Sequence, residues 1–81
     1  VRITLTHHAR LRMIQRKVSE SQIAETLESP DELLAGDSGE AIAIKRFGVR
    51  EVRVVYRETD DGSFLVFTVI KPFVHDREAE V

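Results

Sequence analysis

The spacing of apolar and polar positions changes along the chain, and each change marks an element. From Arg2 to Thr6 the two kinds alternate, with Ile3 and Leu5 on one side and Arg2, Thr4 and Thr6 on the other, the pattern of a short half-buried strand. From His7 to Lys17 the period lengthens to that of a helix. His7, Leu11, Ile14 and Val18 then fall in one narrow stripe, at about 100° per residue, which predicts that this stripe faces the core and that His7 is a packed or capping histidine. Ala9 and Met13 form a smaller apolar strip on the other side and point to a second element or a partner. Thr6 stands where the helix needs a cap.

Ser19-Glu20-Ser21-Gln22 reads as a capping box, in which Ser19 bonds an orphan amide and Gln22 reaches back to the cap. Val18 before the cap and Ile23 inside the helix are placed as a hydrophobic staple, so a tight turn joins two helices. Ile23 and Leu27 give the second helix its buried face and Glu25 and Glu28 its wet face, and Pro30 ends it near Glu28. Beyond lies sheet. Glu32 to Ala35 is a weak strand, Gly36 to Gly39 a turn, and Ala41 to Phe47 a strand with Ile42 and Ile44 on one face. Glu51 to Glu58 alternates, with Val52, Val54 and Tyr56 on one face and Arg53, Val55 and Arg57 on the other. Thr59 to Ser63 is a hairpin loop, and Phe64 to Lys71 is so apolar that it belongs inside the sheet, with Pro72 ending it. The expected fold class is α+β: a strand, a two-helix hairpin, then a three- to four-stranded antiparallel sheet with the helix pair on one face.

At 81 residues the sequence has room for one hydrophobic core. Residues 1–72 read as a single α+β domain and 73–81 as a C-terminal tail. With no cysteine there is neither a disulfide framework nor a thiolate metal site. No apolar run approaches the ~18 residues of a membrane span, and the first eighteen residues lack the apolar core of a signal peptide, so the expected location is cytoplasmic. A formal charge of -2 hides blocks: residues 1–18 are basic without an acid, 19–40 acidic without a base, 41–57 mostly basic and 58–81 mostly acidic. Neighbouring blocks can neutralise one another across the fold, or the two basic blocks can share a face.

His8, Arg12 and Arg16 stand at i, i+4 and i+8, so they line one side of the first helix. Histidine is the side chain suited to proton transfer near neutral pH, and two guanidiniums in a row suit phosphate oxygens; together they suggest phosphodiester chemistry. The same spacing is common on solvated helices that pair with acids elsewhere. Adjacent histidines point about 100° apart and chelate poorly, and His75 stands alone in the tail, so neither a metal site nor a cofactor is expected.

The motif His8-Ala9-x-x-Arg12-Met13-x-x-Arg16-x-Val18-Ser19 resembles the opening motif of the domain of unknown function 4258 family. An acidic second helix, a Val-x-Val-Val-Tyr strand at Val52 to Tyr56 and a closing Phe67-Thr68-Val69 strand are similar to that family's layout, so the likeness runs from about Ile3 to Lys71. The family is generally placed near the RelE-like toxin nucleases, which cut RNA without a metal. The resemblance implies a RelE-like fold and an RNA substrate. It implies His8 as general base or acid, Arg12 and Arg16 as phosphate holders, and Arg53 and Arg57 as further substrate contacts, with Tyr56 and Thr68 as weaker ones. A partner of antitoxin type is implied too. Three readings stand open: a metal-independent endoribonuclease, with or without the role of toxin in a toxin-antitoxin pair; a noncatalytic module that binds RNA or an acidic protein; and an interaction domain whose Ala9 and Met13 strip marks a dimer or partner interface.

Overall fold

The computed structural model describes residues 2–70, in the order β1 (Ile3–Leu5), α1 (His7–Arg16), α2 (Glu20–Glu28), β2 (Glu32–Ala35), β3 (Ala41–Phe47), β4 (Arg50–Glu58) and β5 (Phe64–Ile70). The expected end at Pro72, the tail from 73 to 81 and His75 lie outside the described residues. No described helix is long and apolar enough to cross a membrane.

The five strands form one mixed sheet in the order β1-β5-β4-β3-β2. β2 to β5 pair antiparallel as the turn signals require, but β1 joins the sheet parallel to β5, with Ile3 opposite Phe64 and Leu5 opposite Val66. The expectation of an antiparallel sheet is corrected there. A parallel pair needs a long crossover, and everything between β1 and β5 supplies it, so no local turn signal could reveal the pairing.

Thr6 ties three elements together. Its N–H donates to the Val66 carbonyl at 3.1 Å, and its hydroxyl accepts the Ala9 N–H and donates to the Phe67 carbonyl, both at 3.0 Å. α1 ends at Lys17, which sits in the left-handed region at φ 57° and ψ 47°. Its N–H reaches the Ile14 carbonyl and the Val18 N–H the Met13 carbonyl, so the last orphan carbonyls are satisfied without a glycine. The Ser19 capping box follows, both of its bonds at 3.1 Å. Val18 and Ile23, on either side of it, are both in the core.

α1 lies on β5 and β1, and α2 on β4 and β3. The core beneath them holds Ala9, Val18, Ile23, Leu27, Ala43, Val52, Val54, Tyr56, Val66 and Val69. Thus α1 faces the sheet with the side opposite to the one its apolar stripe suggests. Ala9 is fully buried and Met13 packs against the core, whereas His7 is exposed, Leu11 is 45% exposed and Ile14 75% exposed. The small Ala9 side chain lets the helix approach β5 closely. Arg12 and Arg16, one and two turns further on, are half-buried. Val18 misled the stripe because it lies past the left-handed Lys17, where helical periodicity no longer applies. The second element that the Ala9 and Met13 strip meets is the sheet, with Ala9 buried and Met13 half-buried against the core.

On β4 the alternation is as expected, with Val52, Val54 and Tyr56 in the core and Arg53, Val55 and Arg57 on the face away from the helices. On β5 it breaks. Val55 pairs with Thr68 and Tyr56 with Val66, leaving Phe67 as an extra residue. This bulge lets both Val66 and Val69 face the core.

Candidate functional site

α1 contains no acid, and its N-terminal half presents His8 to solvent. One turn further on, the Arg12 Nε donates to His8 Nε2 at 3.3 Å, and the Arg12 Nη1 donates to Gln15 Oε1 at 3.2 Å. The helix makes this pairing, because side chains four residues apart stand above one another on one face. A ring nitrogen that accepts a hydrogen bond does so through its lone pair, which in this pair is at Nε2. The nitrogen that could take a proton is therefore the one Arg12 holds.

The stripe goes deeper as it runs along the helix. His8 is exposed, Arg12 is half-buried, and the half-buried Arg16 has its Nε buried. Arg16 stands one turn beyond Arg12 on the same side of the helix.

The other expected site residues are elsewhere. Arg53 and Arg57 lie on the sheet face away from the helices, where each has its own partners. Arg53 donates to Glu51 at 3.3 Å and forms an ion pair with it at 3.2 Å, and Arg46 bridges Glu51 and Glu32. Arg57 donates to the Ser38 carbonyl at 2.9 Å and stands 5.9 Å from the centre of the Phe67 ring. Thr68 pairs with Val55 beside the bulge. Tyr56 is 9% exposed and meets Phe64 edge-on, ring centres 5.3 Å apart, within the core. Burial, and then the Glu58 carboxylate, push its hydroxyl pKa up from the ordinary tyrosine value. Tyr56 is thus a core residue.

So His8 and Arg12 are brought into contact and Arg16 is aligned behind them, while Arg53, Arg57 and Tyr56 are not gathered around them. Two residues gain interest that the sequence did not give them. Gln15 orients Arg12 from an i+3 position that helical spacing could have flagged. Phe67, next to the core-facing Val66, meets Arg57 on the face away from the helices.

The hollow lined by Ile3, Leu5, Glu20, Ser21, Ile23 and Ala24 lies between β1 and α2 and includes none of the stripe. Among the described residues no three of His, Cys, Asp and Glu come together as metal ligands. In the loop before β5, the Thr59 hydroxyl and then the Ser63 backbone hold the Asp61 carboxyl below its usual range; these bonds shape the turn.

The family described as domain of unknown function (DUF4258) matches residues 5–71 of the chain. No curated protein matches it, and no solved structure does.

Proposed function

We propose, from the premise that the chain belongs to the DUF4258 family, that it acts on RNA through α1, as a metal-independent endoribonuclease of RelE-like type. The observation that carries the reading is the contact of Arg12 Nε with His8 Nε2 on the solvent side of the helix. It supports the reading because a proton-transfer side chain and a phosphate-binding side chain in contact can serve one phosphodiester.

In this mechanism a phosphate competes for the Arg12 guanidinium and draws it off His8, since a charge-assisted bond to a phosphate oxygen is stronger than one to a neutral ring nitrogen. The freed Nε2 takes the proton of the ribose 2′-hydroxyl. The 2′-oxygen attacks phosphorus, the bond to the 5′-oxygen breaks, and that oxygen leaves with a proton from water, the hydroxide so formed being neutralised by the proton that His8 took up. The products are a cyclic phosphate and a 5′-hydroxyl end. Arg12 and Arg16 stabilise the negative charge that builds on the phosphoryl oxygens.

The test incubates purified protein with single-stranded RNA, and with translating ribosomes, with and without a chelator and across a salt series. Cleavage is expected to survive the chelator and to weaken as salt screens the arginine contacts. Intact RNA in every arm overturns the nuclease reading.

A second reading is favoured by the scatter of the arginines. With Arg53 and Arg57 on the far face of the sheet, His8 and Arg12 can hold a phosphate without completing a catalytic set. The chain would then be a noncatalytic RNA-binding module, and the same assay separates the two: salt-sensitive binding that Arg12→Ala abolishes, with no cleavage.

A further inference from the structure

The surface least accounted for by the fold is the β2 end of the sheet. All four residues of β2 are exposed, Leu33 at 59% and Leu34 at 48%. Beyond β3, β2 meets no further strand among the described residues. Soluble proteins blunt such edges with lysine, proline, a bulge or a covering element. β2 is short, but it has no lysine, proline or bulge, and among the described residues no element covers it. Its one charge, Glu32, is turned toward Arg46 of the same sheet, 3.5 Å away. What remains is an open row of backbone donors and acceptors between two leucines. Leu33 pairs with Ala43 and Leu34 with Ile42, so one leucine extends the helix-covered face and the other the bare face.

We propose that this edge pairs with β2 of a second copy of the chain, antiparallel about a two-fold axis perpendicular to the sheet, to make one continuous ten-stranded sheet. The symmetry restricts the register. Such an axis keeps both helix layers on the same side, so residues opposite one another must share a face, and Leu33 can oppose only an odd-numbered residue. With the axis at Leu34, Leu34 meets Leu34 of the second copy, Leu33 meets Ala35, and Glu32 meets Gly36. In that register no charge faces a like charge and every leucine faces an apolar residue, which a foreign strand would match only by accident. The pairing buries the exposed leucines on both faces at once. It leaves α1 and its His8 and Arg12 free, and it is independent of the RNA reading.

The test is sedimentation of the intact chain over a wide concentration range, with three variants beside it. The wild type is expected to dimerise with rising concentration. Leu34→Lys, which places two ammonium groups against each other at the axis, should be monomeric with an unchanged circular dichroism spectrum. Because the chain has no cysteine, Leu34→Cys can cross-link only through its new thiol; it should give a disulfide-linked dimer under mild oxidation, while Ile14→Cys on the solvent face of α1 should give far less. A wild type that stays monomeric at every concentration overturns the proposal. So does a dimer that survives Leu34→Lys, or equal cross-linking at positions 34 and 14.

Discussion

Arg12 Nε lies 3.3 Å from His8 Nε2, so the guanidinium suited to a phosphate already holds the imidazole suited to move a proton. The pair is local to one helix and needs nothing from the sheet. Its geometry should therefore persist in any variant that leaves α1 capped and seated on β5, and stability can be probed apart from chemistry.

Ser19 sits between the helices and makes both bonds of the capping box with Gln22. Ser19→Ala is expected to cost about 1 kcal/mol, a fall of roughly 4–8 °C in Tm for a domain of this size. A melt unchanged from wild type would show that α2 does not depend on this cap.

Lys17 is the one non-glycine residue with positive φ among the described residues, at 57°. Lys17→Gly removes the Cβ clash of that conformation at a position outside the helix proper and should stabilise the chain by about 1 kcal/mol. Urea unfolding reads the change as a higher midpoint at the same slope. A lower midpoint would mean that the Lys17 side chain contributes more than its backbone costs.

How much of this was legible in the sequence depends on whether the signal was local. The boundaries of α2 were legible because each end has a local signal, Ser19 with Gln22 at the start and Pro30 just past the end, and β4 because its alternation is unbroken. The parallel pairing of β1 with β5 was not, since it joins residues about sixty positions apart. The burial of α1 was read backwards: Leu11 and Ile14 are more hydrophobic than Ala9, but the sheet needed a small residue at closest approach. Of the candidate site, the His8 and Arg12 contact follows from i+4 spacing. The separation of Arg53 and Arg57 from the helix layer follows only once Val52, Val54 and Tyr56 are known to lie under the helices.

Val54 and Val66 are both fully buried under the helix pair. Changing either to Asp places an unpaired carboxylate in the core at a cost of several kcal/mol, comparable with the whole stability of a domain this small. Loss of near-UV circular dichroism and of dispersed amide resonances is expected. A native spectrum from either variant would contradict the strand register.

Tyr56 is the chain's single tyrosine, so alkaline titration of its absorbance reports one group. Burial and Glu58 raise its pKa in the folded chain. The midpoint should therefore lie above the value of about 10 for free tyrosine. Because the folded value is the higher one, the associated stability is fully present below about pH 10 and is lost as pH rises through the folded pKa. A midpoint at or below 10 in chain that is still folded would show the hydroxyl to be open to water.

The central claim, that His8 and Arg12 form a reactive pair on α1, is tested most directly by the rate of RNA cleavage in His8→Ala and His7→Ala compared with wild type. Both side chains are exposed, so both variants should melt with wild type. His8→Ala should lose cleavage by roughly 10²-fold or more, the usual contribution of a general acid or base, while His7→Ala keeps the wild-type rate. Equal rates in all three proteins, or loss in His7→Ala with His8→Ala unaffected, would contradict the account.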